Sequence, residues 1–186
     1  MELQADLDAV AAAAAALAAP GETLSGVIPA EPEEGARVYL CAFEGEGDGA
    51  SRTWVALDAD GRPLRDRRLV RAAVSIAALC EFAEEAAGGG KLEELRAQLL
   101  SLRLTEAPEG IEEAEEAALE LERTIGTPPR LATPALLDAI GAATRRLERA
   151  LGEGPGSPFG ELMKRGIEVV GELETDVLGG YKLELS

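Results

Sequence analysis

Residues 36–57 read ARVYLCAFEGEGDGASRTWVAL, and this stretch decides the fold. Val38–Phe43 and Thr53–Leu57 are rich in branched and aromatic side chains, which pack well on a pleated surface. Between them Gly45, Gly47 and Gly49 supply the backbone freedom of a turn. Two such runs joined by a glycine-rich connection predict an antiparallel hairpin over about 36–58. A lone hairpin is marginal in water, so it needs a third strand or a helix beneath it. Two segments qualify as that strand: Leu24–Ile28, and residues 181–185 (YKLEL), where apolar and polar residues alternate. Tyr39 and Trp54 are expected to face each other across the hairpin, as an ordinary stabilising pair.

Outward from the hairpin the spacing turns helical. Leu3, Leu7, Val10, Ala14 and Leu17 form one apolar stripe that Pro20-Gly21 ends. The stripe is too short for a free-standing coiled coil, so it must pack on this protein or on a second copy. After the turn at Asp60-Gly61 and Pro63, Asp66 caps a helix running to about Ala87, before three glycines. Its centre, Leu69 to Phe82, is apolar or small on nearly every face, which predicts a buried central helix under the hairpin. Further helices are expected over Lys91–Leu104 and from about Pro108 to Ile125. Two more run from the Thr133-Pro134 cap to Gly152 and from Ser157-Pro158 to about Val177. The expected architecture is therefore α+β, mostly helical with five to six helices and a small antiparallel sheet built on the hairpin. One domain over 1–186 is preferred to sub-units 1–90 and 91–186, because each half alone would have a thin core.

Charge narrows the chemistry. Lys and Arg number 18 against 35 Asp and Glu, a net charge of −17, and there is no histidine. Histidine acid/base catalysis, Ser-His-Asp or Cys-His nucleophiles and His-ligated zinc or haem cannot be built from this chain alone. Nucleic acid and anionic membranes are disfavoured partners, because both repel a polyanion. Cys41 and Cys80 read as buried, reduced thiols. Residues 9–19 are apolar, but the preceding residues are acidic and the run is short of the roughly 20 residues that span a bilayer. A cytoplasmic location is the expectation.

Three local features bear on function. Arg62, Arg65, Arg67, Arg68 and Arg71 cluster in GRPLRDRRLVR, where the chain enters the central helix. Guanidinium groups fork onto phosphate or carboxylate, so this is the candidate anion- or partner-binding site. The alternative is pairing with the chain's own glutamates. Glu44, Glu46 and Asp48 alternate with glycine as in the first half of a calcium loop. The position that needs a bidentate glutamate is Val55, so a hairpin tip is preferred. The glutamates at 112, 113, 115 and 116, and the ladder Glu168, Glu172 and Asp176, are expected as solvated helix faces. No metal site and no cofactor are expected.

The first expectation is thus a non-catalytic interaction or assembly protein that binds a protein partner or itself, as a homodimer through the first or last helix. The second is a protein or enzyme for a small anionic ligand, such as a nucleotide or sugar phosphate, using the arginines. The third is an acidic inhibitor that imitates nucleic acid and binds a basic partner. Enzymatic activity is the less favoured reading.

Overall fold

A computed structural model describes residues 2–47, 51–88, 111–126, 129–151 and 158–186. The described elements run α1 (Glu2–Ala15), β1 (Glu22–Ala30), β2 (Val38–Gly45), β3 (Thr53–Leu57) and α2 (Arg67–Gly88), then α3 (Ile111–Ile125), α4 (Pro134–Leu151) and α5 (Pro158–Gly179). The fold is α+β, with five helices and one small antiparallel sheet among the described residues. The helix expected over Lys91–Leu104 lies outside the described residues.

The sheet order is β1-β2-β3. β2 and β3 are the expected hairpin, and the extended piece near Leu24–Ile28 is its third strand, lengthened to Glu22–Ala30. A bulge interrupts β1 between Leu24 and Gly26, where the Ser25 hydroxyl donates to the Ala42 carbonyl at 3.2 Å. Proline cannot donate to a ladder, and Pro29 is tolerated because β1 is an edge strand.

Phe43 lies opposite Thr53 and Cys41 opposite Val55, which assigns every side chain to a face. One face carries Tyr39, Cys41, Phe43, Val55 and Leu57, all buried under Val10 and Ala14 of α1. Burying each large side chain here contributes about 1.5–3 kcal/mol, so this layer accounts for much of the local stability. The other face carries Leu40, Ala42, Trp54 and Ala56, also buried. There the Trp54 indole N–H donates to Asp176 of α5 at 3.1 Å, and Arg71 of α2 meets Glu174 of α5 at 2.7 Å. The start of α2 and the end of α5 therefore lie together at that face. Tyr39 and Trp54 do not face each other, because Tyr39 is opposite Leu57 and Trp54 is opposite Ala42.

The chain divides into two compact units. The first comprises Met1–Ala78, Pro128–Pro134 and Val169–Ser186, and holds the whole sheet. The second comprises Leu79–Thr127 and Ala135–Glu168. In the second unit Ala117, Ala118 and Leu121 of α3 and Ile140 and Ala143 of α4 are buried. Arg146 of α4 there bridges Glu116 and Glu120 of α3 at 3.0 and 2.6 Å. Two of the acidic residues on α3 thus pair across to a neighbouring helix at the surface.

In the first unit α2 begins as expected, with Asp66 Oδ1 accepting from the Arg68 and Leu69 amides at 2.8 and 3.3 Å. The helix is not buried on all sides. Val70, Ala73, Val74 and Ala77 are inside, whereas Arg67, Arg68 and Arg71 face solvent. Charged heads keep their water where nothing replaces it.

Candidate functional site

The other segment expected to extend the sheet, residues 181–185, does so only at its start. Gly180 accepts from the Trp54 amide at 2.9 Å, and the Lys182 amide donates to the Trp54 carbonyl at 2.8 Å. This is a single parallel bridge along β3, at Tyr181. Gly180 is required by closeness: a Cβ there would lie 2.6 Å from the Arg52 carbonyl oxygen. The Tyr181 hydroxyl accepts from the Ala56 amide at 2.8 Å and donates to the Leu64 carbonyl at 2.9 Å. Burial pushes the Tyr181 phenol above its usual pKa. The segment ends on the entry to α2, where Ser186 N donates to the Arg65 carbonyl and the Arg67 amide donates to Ser186 O.

Beside this strap lies a groove of about 400 Å³ lined by Leu17, Ala19, Glu22, Val55, Pro63, Lys182 and Leu183. Its two charges pair with each other, Lys182 Nζ donating to Glu22 Oε2. Both side chains are 16% exposed, so they need all their partners. Glu22 also accepts from the Ala19 amide and the Thr53 hydroxyl, each at 2.8 Å. Lys182 also donates to the Leu17 carbonyl at 3.1 Å and lies 4.0 Å from the centre of the Phe43 ring. Lys182, then the Ala19 amide and the Thr53 hydroxyl, hold the Glu22 carboxyl down at about 2. A ligand entering the groove therefore meets apolar walls and a spent ion pair. Burial alone raises the Cys41 thiol, behind this wall, to about 12, which leaves no nucleophilic thiolate at neutral pH.

Leu17 departs from the expected stripe. The helix stops at Ala15, so Leu17 falls in the following turn and stands 39% exposed at the groove's rim.

A second polar cluster lies where α1 meets the end of β1. Arg37 reaches Asp6 at 2.9 Å and Glu31 at 3.3 Å, pinning α1 to the β1–β2 connection. The Tyr39 hydroxyl beside it is buried and makes no well-formed hydrogen bond. Burial raises its pKa above the ordinary phenol value.

The five arginines divide. Arg62 sits in the turn after β3 and pairs loosely with Asp60 at 3.3 Å, both side chains highly exposed. Asp58 organises that turn by accepting from the Asp60 and Arg62 amides. Arg71 is taken by Glu174. Arg65, Arg67 and Arg68 are exposed, and no carboxylate among the described residues pairs with them. None of the five lines the groove. The first four amides of α2 are also occupied: Arg67 N by Ser186 O, Arg68 N and Leu69 N by Asp66 Oδ1, and Val70 N by Asp66 O.

At the hairpin tip, Glu44 pairs with Arg52 at 2.9 Å, and Asp48–Ala50 lie outside the described residues. Among the described residues no three carboxylates or thiols gather closely enough to hold a metal ion. No described helix is long and apolar enough to cross a membrane. No local pattern in the sequence signals the groove or its ion pair, since Glu22 and Lys182 lie 160 residues apart. Compared with protein-family models, curated proteins and solved structures, the chain matches none.

Proposed function

We propose that this protein is a non-catalytic interaction module, and that Arg65, Arg67 and Arg68 form a contact surface for an acidic protein partner. The observation that carries this reading is their isolation. In a chain with 35 acidic residues, three exposed arginines stand together without an ion-pair partner among the described residues. Guanidinium groups that no carboxylate of the chain occupies keep their forks free for a partner's carboxylates.

The occupied helix entry favours a broad partner over a small anion. Phosphate at a helix start is held by free N–H groups, and here those groups already have partners. Spaced carboxylates on a protein surface need only the guanidinium forks. The strap and the Asp66 cap hold the backbone of this patch in place, which reduces the entropy lost on binding.

A hexaglutamate peptide titrated into the intact chain by calorimetry tests the proposal. Binding is expected at low salt, weakened by added salt, and weakened about tenfold or more by the double change Arg65→Glu and Arg68→Glu. No binding at low salt, or binding indifferent to that change, overturns it.

A further inference from the structure

We infer that the groove beside Leu17 is a self-docking surface, in which Leu17 of each of two copies enters the groove of the other. This deepens the interaction-module reading by naming a second copy of the chain as one partner, at a surface separate from the arginines.

Two copies of a molecule carrying −17 repel, so a neutral patch is where they approach at low electrostatic cost. Between Asp8 and Glu22 no residue is charged, and this is the stretch that carries Leu17. The groove is neutral in effect as well. Glu22 is engaged by Lys182, Thr53 and Ala19, and Lys182 by Glu22 and Leu17. The rest of its lining is Leu17, Ala19, Val55, Pro63 and Leu183. A basic partner, the kind this molecule's field attracts, finds no free carboxylate there.

Shape completes the case. A twofold interface needs one patch that is both knob and socket. Leu17 is one of two large apolar side chains exposed among the described residues, the other being Leu119. It stands on the rim of the groove that it also helps to line. A twofold axis beside Leu17 would bring each leucine to the other's groove, and the neighbouring Ala12, Ala15 and Ala16 are small and exposed.

Sedimentation velocity of the intact chain over a range of concentrations tests this. A reversible dimer is expected. Leu17→Glu should weaken it about tenfold or more, because it removes the knob and buries a charge among apolar groups. Leu119→Glu should leave it unchanged, as should the arginine double change, whose effect belongs to the peptide titration. If Leu17→Glu alters the circular dichroism spectrum, Leu17→Cys replaces it. Oxidation should then trap a disulfide-linked dimer through residue 17, since Cys41 and Cys80 are buried. A monomeric chain at every concentration, a dimer lost through Leu119→Glu alone, a dimer that tolerates Leu17→Glu, or failure to cross-link overturns the inference. Loss of peptide binding with the dimer intact would remove the arginine surface and leave this one standing.

Discussion

The edge of β3 and the entry to α2 both place cations on the same unit of an acidic chain, yet the two regions use them differently. Lys182 is largely buried and fully engaged, with a carboxylate, a carbonyl and an aromatic ring around it. Arg65, Arg67 and Arg68 are exposed and unpaired among the described residues. The difference follows from solvation. A charge that leaves water must find replacements for every lost hydrogen bond, so it becomes structural. A charge that stays in water adds little to stability and remains free for a partner.

The contrast breaks most sharply at Gly180. Alanine there would drive its Cβ against the Arg52 carbonyl and push the strap off β3. Gly180→Ala should cost about 1–3 kcal/mol in chemical denaturation, with the loss of protection of the Trp54 amide in hydrogen exchange. A stability unchanged from the parent would mean that the strap contributes little.

Acid separates the two regions next. The folded Glu22 carboxyl is lowered from 4.5 to about 2, so its contribution is complete above the ordinary carboxyl value and is lost as pH falls from there through about 2. Denaturation midpoints of the parent and of Glu22→Gln should differ by a constant amount near neutral pH, and the gap should close over that acidic window. A gap that persists to the acid end would assign the effect to packing rather than ionisation.

The smallest effect is expected at the arginines. Arg65→Ala and Arg68→Ala should each change stability by no more than about 0.5 kcal/mol, measured by the same denaturation. A larger loss would show that these side chains are structural after all, and would erase the contrast.

Much of this architecture was legible in the residues, and the exceptions have physical reasons. The hairpin could be read because Val38–Phe43 and Thr53–Leu57 are locally suited to strands and joined by glycines. The Asp66 cap and the starts of α4 and α5 at Pro134 and Pro158 were equally local signals. The face of each strand residue was not readable, since register depends on how the turn closes. In the register that forms, Tyr39 meets Leu57, three positions along β3 from Trp54. Leu17 was expected inward because periodicity shows a stripe but not the residue at which a helix stops. The candidate arginines were visible as a run, but which of them would be claimed depended on Glu174, more than a hundred residues away. The Glu22–Lys182 pair left no trace in local pattern for the same reason: its partners meet only when the sheet and the strap are assembled.

That distance bears on how the first unit is made. Trp54 and Ala56 receive their outer partners from residues 176 and 181, separated from them by 122 and 125 positions. During synthesis β1, β2 and β3 emerge long before those partners exist. The nascent sheet must wait with the Trp54 amide and carbonyl and the Ala56 amide bonded to water, while the Ala56 carbonyl has a local partner in the Leu64 amide, and completion of that flank is a late, non-local closure. Contacts of this range slow folding, because the entropy of closing so long a loop is lost before the contact repays it. Until residues 180–186 arrive, the flank of β3 is the place where the growing chain is most open to adhering to its neighbours.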